Sequence, residues 1–380
     1  MTITATKEAD LLKRVDAFAK TNIAAHRHRL ITSQEFPKSL WDAFAADGLA
    51  GLSVPKEFGG EGASYHTLAK AAQILSRIGG VPGATMVFSA HWLMTKIHIA
   101  SDAPKEVQKM LLPLLARGDV TLSVAISEPG AGAHPKHLKT TARREGEEFI
   151  LNGEKTYLTN GPLAEYFITL AITSESQGKK SFSAILVPAS SSGFHRTEGM
   201  KIDFLHPCPH GGIRLEDCRV SAHNLIGKEG EAFERTSLRM RAIEDAAGAL
   251  SHVGSMQCLL DQISTKVPIE QTTAIGEITT QLQGLEILAN QLAQLIDQTG
   301  HDVQPLLELQ LGFKQFSHLC SDALEKLVQE TSNTINTETN LLARDISKLH
   351  NIARSAHAAR HTKIGKAYIQ KSNSLGLQDE

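Results

Sequence analysis

One stretch constrains this chain more than any other: Leu122 to Gly161, LSVAISEPGAGAHPKHLKTTARREGEEFILNGEKTYLTNG. Leu122 to Ser127 is β-rich, and Glu128-Pro129-Gly130-Ala131-Gly132 breaks it. Pro129 has no N–H and a fixed φ, while the two glycines permit φ > 0 and a close backbone approach. A strand therefore ends in a loop with free backbone N–H groups, able to cradle a flat heterocycle or a phosphate. Thr140 to Glu147 and Phe149 to Thr156 predict two strands joined by the polar EGEE turn, and Asn152-Gly153 reads as a second turn signal. Tyr157-Leu158-Thr159-Asn160-Gly161 then sets an aromatic ring and a hydroxyl at a strand end.

On either side of this region the apolar period is helical. Residues 8 to 30 predict a helix from Leu11, Leu12, Val15, Phe18 and Ala19, and Lys38 to Asp47 a second that ends at Gly48. Tyr65 to Arg77, residues 83 to 101 and residues 103 to 118 complete an all-helical N-terminal domain over 1–120, with Met86, Trp92, Met94 and Ile97 as an ordinary core stripe. From 121 to 228 the period is two, with further strands at Tyr166 to Thr173, Ser181 to Val187 and His210 to Val220, giving a middle β-barrel or sandwich domain. His206, Cys208 and His210 alternate there and could face one side, but no further ligand lies at a suitable spacing, so no metal site is expected. Residues 229–380 predict four long helices, at 234–262, 270–299, 304–330 and 338–370, and hence a four-helix bundle. The fold class is α+β and multidomain.

Composition narrows the function. A net charge of −2 over 380 residues gives no reason to expect nucleic acid or an anionic membrane as partner. No apolar run approaches the ~20 residues of a membrane span. Cys208, Cys218, Cys258 and Cys320 have no paired spacing, and the N-terminus lacks an apolar signal core. A cytoplasmic protein with idle thiols is expected.

Ala125-Ile126-Ser127-Glu128-Pro129-Gly130-Ala131-Gly132 and Leu151-Asn152-Gly153-Glu154-Lys155-Thr156-Tyr157-Leu158-Thr159-Asn160-Gly161 together resemble two motifs of the acyl-CoA dehydrogenase superfamily. Weaker matches flank them: Val54-Pro55 through Gly59-Gly60, Gln108-Lys109 with Leu112-Pro113, and Leu225-Ile226-Gly227. The order of helical domain, β-domain and bundle is also that of the superfamily. The resemblance implies a flavin, FAD or alternatively FMN, whose ring meets Val124, Ile126, Ser127, Gly132 and Ala133 on one side and Tyr157, Leu158 and Thr159 on another. It also implies an acyl-thioester or other small-molecule substrate, on CoA or a carrier protein, and a homodimer or homotetramer.

The resemblance breaks at the chemistry. Abstracting a weakly acidic α-proton needs a carboxylate base of raised pKa in a dry site. Of the two positions where the family places that glutamate, one counts to Ala353, nine residues after Arg344-Asp345, and the other to Arg241 on the first bundle helix. Glu244, one turn from Arg241, is the nearby carboxylate. Ala133-His134 replaces the family's Ser-Asp, and the arginine- and glycine-containing segments that hold the adenine end are missing from 260–271 and 329–333. These losses fit a weaker hold on FAD or a preference for FMN. His350 and His357, a seven-residue step on the last helix, are candidates for an alternative chemistry, that of flavin monooxygenases on the same fold. A non-catalytic scaffold is the third reading.

Overall fold

The structure is a computed structural model that describes residues 5–300, 302–331, 334–352 and 354–374. Six N-terminal helices come first: α1 Ala5–Phe18, α2 Arg27–Thr32, α3 Lys38–Ala46, α4 Tyr65–Gly79, α5 Pro82–Met94 and α6 Lys105–Arg117. Local chemistry sets their ends. Ser64 caps α4 by accepting from the Thr67 N–H at 3.1 Å, and Gly80 ends it at φ 67°. Gly118 ends α6 in the same way at φ 73°. The single helix predicted over 8–30 is instead α1 and α2 joined by a wider π turn over Ala19–Ile23 and a 3-10 turn. Beyond α5, Thr95–Ala100 also winds as a π turn. The domain's core is aromatic: Phe44 stacks on Phe88 with centroids 4.0 Å apart, and buried Trp92 donates to the Leu49 carbonyl at 2.7 Å.

Eight strands follow: β1 Leu122–Ala125, β2 Thr141–Glu145, β3 Glu148–Thr159, β4 Tyr166–Ser176, β5 Lys179–Pro188, β6 Phe194–Thr197, β7 His210–Ser221 and β8 Leu225–Ile226. Their order is β6-β7-β3-β2-β4-β5-β8, with β1 parallel to β4. Four strand steps separate β4 from β6, about 19 Å in a flat sheet. Yet the rings of Phe167 on β4 and Phe194 on β6 lie 5.0 Å apart, so the sheet curls over on itself. Its concave face carries its own core of Phe149, Leu151, Phe167, Val187, Ile213 and Leu215. On β4 and β5 the alternate residues Ile168, Leu170, Ala184 and Leu186 join the core of the helices instead.

Asn152-Gly153 is not a turn. It lies inside β3 opposite a bulge in β7, where Asn152 exchanges two hydrogen bonds with Asp217, and Gly153, at φ 148°, has no room for a Cβ against Thr140. His206 and Cys208 are not on a strand either. Residues 201–209 are irregular, with a cis His206-Pro207 peptide, and β7 begins at His210.

The C-terminal helices are α7 Met240–Ser264, α8 Thr272–Thr299, α9 Gln304–Glu330, α10 Thr337–Asn351 and α11 Arg354–Ser374. Leu282, Leu285, Leu292 and Ile296 of α8 and Leu306, Phe313, Cys320, Leu324 and Leu327 of α9 are buried as their spacing requires. The helix expected over 338–370 breaks at Ile352, which is extended at ψ 132°. Lys348 and His350 in the last turn of α10 suit a helix C-terminus, and Asn351 and β-branched Ile352 are weak helix formers. His350 and His357 are therefore on different helices and share no helical face.

The N-terminal helices and the bundle share one core. Helix α4 lies so closely along α7 that a Cβ on Gly254 would come within 2.6 Å of the Gln73 carbonyl. Buried Asp102 faces Arg235 and Arg239 just before α7. Among the described residues no helix is long and apolar enough to cross a membrane.

Candidate active site

The ends of β1 and β3 are fastened together. Ser123 Oγ donates to the Thr159 carbonyl at 2.8 Å, and the Thr156 N–H donates to the Ser127 carbonyl at 2.9 Å. Beneath them lies a fully buried cation. Lys155 Nζ donates to the Ile126 carbonyl at 3.0 Å and to Glu128 Oε1 at 2.9 Å. Glu128 in turn accepts from the Lys139 N–H at 2.7 Å and the Thr140 N–H at 2.9 Å. Burial pushes the Glu128 carboxyl up, but Lys155 and the Thr140 hydrogen bonds outweigh it and hold the carboxyl below its ordinary value. Burial brings the Lys155 ammonium down to about 8. Sequence reasoning did not single out this pair. The signal was available in the period-two pattern, which puts Lys155 on the same face as Leu151 and Gly153.

The exposed edge above this pair has the character of a ring-binding site. β3 pairs with β7 at Lys155 and again at Leu158, and the register skip leaves Tyr157 outside the ladder. Tyr157 holds φ 59° with 44% of its surface exposed. A left-handed aromatic residue is uncommon, and such strain clusters at ligand sites. Val124, Ser127 and Thr159 are half-buried along the same edge. Ile126 is nearly buried, and Leu158 is wholly so within the sheet core, which leaves its backbone for the edge. Ala133 is half-buried, while Gly132 at φ 56° has open space where a Cβ would stand. Asn160 closes the turn: its Nδ2 donates to the Val87 carbonyl at 3.0 Å and its N–H to the Pro209 carbonyl. His210 Nε2 lies 3.2 Å from Thr159 Oγ1. A rigid edge with an open aromatic ring and two hydroxyls fits the isoalloxazine end of a flavin. The 260–271 interval, where the adenine contacts were expected, is the end of α7 and a turn.

The candidate base lies on α7. Arg241, Glu244 and Gly248 follow the i, i+3, i+7 spacing of one helical face. Solvent reaches Glu244, yet protein surrounds it closely enough that burial, with Asp245 adding to it and Arg241 opposing, raises its carboxyl from 4.5 to about 7. Gly248, also exposed, has nothing within 4 Å of a built Cβ, so this face of α7 is open. Asp245 pairs with Lys314 of α9 at 3.7 Å.

His350 has a different setting. It is buried between helices, with Nδ1 3.1 Å from the Ile346 carbonyl and Nε2 2.8 Å from His252 Nε2. Ser317 Oγ is 3.1 Å away, and the His318 ring packs beside it. Burial, with His318 and Lys314 adding to it and the Ile346 carbonyl opposing, lowers His350 to about 4. The structure thus brings His350 to His252, about two turns beyond Glu244 along α7. The His357 side chain lies outside the described residues. No group of His, Cys, Asp and Glu among the described residues could hold a metal ion.

Residues 6–119 match the acyl-CoA dehydrogenase N-terminal domain and residues 123–218 the acyl-CoA dehydrogenase middle domain. The 3-(aryl)acrylate reductase of Clostridium sporogenes is 31% identical over 261 residues, 68% of each chain. Among solved structures, the prolyl acyl carrier protein oxidase AnaB superposes with a TM-score of 0.78 at 24% identity, covering 90% of this chain and 94% of its own. The FAD complex of PigA does so with 0.79 at 21% identity, covering 91% and 92%. A helical domain, a curled sheet and a helical bundle define an acyl-CoA dehydrogenase-type architecture. The chain belongs to the acyl-CoA dehydrogenase family.

Proposed function

We propose that this protein is a flavin-dependent oxidoreductase that acts on an acyl thioester, carried by CoA or by a carrier protein, with FAD as cofactor and Glu244 as general base. The observation that carries the reading is the place of Glu244, an accessible carboxylate on α7 one turn from the counted base position, whose pKa its surroundings raise to about 7. A base of that pKa is half ionised near neutrality and strong enough to take a proton α to a thioester carbonyl. Bound flavin supplies the hydride acceptor. The chain's own residues do the rest. Tyr157 and Val124 offer apolar cover to the ring, Ser127 and Thr159 offer hydroxyls, and the Lys155–Glu128 pair keeps the edge rigid. Glu244 takes the proton. FAD is preferred to FMN because similar solved structures carry FAD, as the PigA complex does. The missing adenine contacts predict a looser hold.

A homo-oligomer is part of the same proposal. Phe316 and Leu319 on α9 and Ile287 on α8 are 55%, 61% and 71% exposed, large apolar side chains that a partner copy would cover. Four buried, unpaired cysteines fit a reducing compartment such as the cytoplasm.

A flavin monooxygenase is the second reading, favoured by Arg241 standing at the counted base position. It is weakened by His350, whose Nε2 is engaged by His252. One purified sample separates the readings. A flavin spectrum that bleaches anaerobically with an acyl thioester supports dehydrogenation. Oxygen uptake by reduced flavin with substrate hydroxylation supports the second reading. No spectral change or melting shift with excess FAD or FMN leaves a non-catalytic scaffold.

A further inference from the structure

The hydroxyl of Thr159 has a partner that the function above does not use. His210, at the start of β7, holds Nε2 3.2 Å from Thr159 Oγ1 and Nδ1 3.2 Å from the Cys208 carbonyl. A carbonyl oxygen only accepts, so Nδ1 must carry the proton. In neutral His210 the Nε2 lone pair is then the acceptor, and Thr159 must donate its single hydroxyl proton to it. Thr159 is left with only lone pairs to offer to anything lying along the edge.

We propose that His210 is a positioning residue that fixes the hydrogen-bond polarity of Thr159 toward the flavin, holding the hydroxyl as an acceptor when neutral and turning it into a donor when protonated. The inference rests on the flavin reading above. Its consequence follows from the cofactor's chemistry. Reduction converts bare ring nitrogens into N–H donors, so an obligate acceptor on the edge favours the reduced ring. Protonating His210 puts a proton on Nε2, which then donates to Thr159 Oγ1. The threonine proton is released to point at the ring, which favours the oxidised form.

The surroundings keep the acceptor state. Burial lowers the His210 pKa, the Cys208 carbonyl partly opposes this, and His206 on the preceding loop lowers it further. His210 is therefore neutral at pH 7, and the switch lies on the acid side of 6.5.

The test has two arms, with His210→Phe, His210→Gln and Thr159→Val beside the wild type. Imidazole 15N NMR of the flavin-free protein, with His210 assigned by its loss in the Phe variant, should show the Nδ1–H tautomer at pH 7.5. An Nε2–H tautomer overturns the proposal whatever the flavin does. In the second arm FAD is added, and the reduction potential and visible spectrum are followed against pH. One hydrogen bond of fixed polarity is worth up to about tenfold in the oxidised-to-reduced affinity ratio, or ~30 mV for a two-electron couple. His210→Phe should lower the potential at pH 8 by up to that amount and abolish a one-proton spectral transition below pH 6.5. Thr159→Val should remove the same transition, and the double variant should add nothing. FAD that binds every protein with unchanged potential and transition refutes this inference alone. FAD that binds none of them refutes the flavin reading with it.

Discussion

Replacing Glu244 with glutamine should slow turnover and stabilise the protein at the same time. The folded-state pKa of Glu244 is raised from 4.5 to about 7, so the fold prefers the protonated form. Below pH 4.5 both folded and unfolded chains are protonated there and the site costs nothing. As pH rises toward 7 the unfolded chain ionises first, and the wild type loses stability through that window. The gap corresponds to about 3 kcal/mol if fully realised. Solvent reaches Glu244, and screening reduces this to about 1 kcal/mol. Glu244→Gln keeps the shape and removes the ionisation. Its advantage over the wild type should grow from nothing near pH 4.5 to about 1 kcal/mol at pH 8, or ~1–3 °C in melting temperature. Turnover should fall by about 10²–10⁴ while flavin stays bound. Calorimetry at the two pH values with stopped-flow flavin reduction reads both quantities. A variant that is no more stable at pH 8 and still reduces flavin at wild-type rate would refute the assignment of Glu244 as base.

Three further outcomes follow. Lys155→Met strands the buried Glu128 carboxylate and should cost ~3–5 kcal/mol in denaturant unfolding; adding Glu128→Gln should recover much of that loss. Gly248→Ala has room for its methyl group and should stabilise α7 by about 0.5–1 kcal/mol, while raising KM for the bulkier acyl substrates in a steady-state series. Sedimentation should give a mass that is a multiple of 41.2 kDa, and Phe316→Glu with Leu319→Glu should shift it toward the single chain.

What the sequence made legible was whatever depends on period. The leucines of α8 and α9 repeat at helical spacing over long spans, and their helices follow. The Leu122–Gly161 stretch announced a strand, a loop and a strand end because proline, glycine and β-rich runs act locally. What stayed hidden depends on partners distant in the chain. Asn152-Gly153 stays inside a strand because Asp217 meets Asn152 from the bulge in β7, which a dipeptide turn rule does not see. Lys155 reads as a surface residue until Glu128 and the Ile126 carbonyl close over it. His350 could have been a reactive base on an open helix. The break at Ile352 and the packing of α9 and α7 make it an enclosed, hydrogen-bonded group.

The displaced base leaves Arg241 with a task that can be measured. Arg241 stands one turn before Glu244, about 4.5 Å of helix rise, at the position where the family's glutamate was counted. Its guanidinium lowers the Glu244 pKa, against burial and Asp245, both of which raise it. Two neighbours on one helix thus pull the same carboxyl in opposite directions. If Glu244 takes the substrate proton, the rising limb of kcat/KM against pH reports its ionisation. Arg241→Gln should move that limb to higher pH, and Asp245→Asn should move it to lower pH. The high-pH plateau should be less affected than the limb in both, because neither residue is needed once Glu244 is ionised. A general loss of packing around α7 would depress the plateaus and leave the limbs in place. Limbs that move in the same direction, or not at all, would place the titrating base somewhere other than this face of α7.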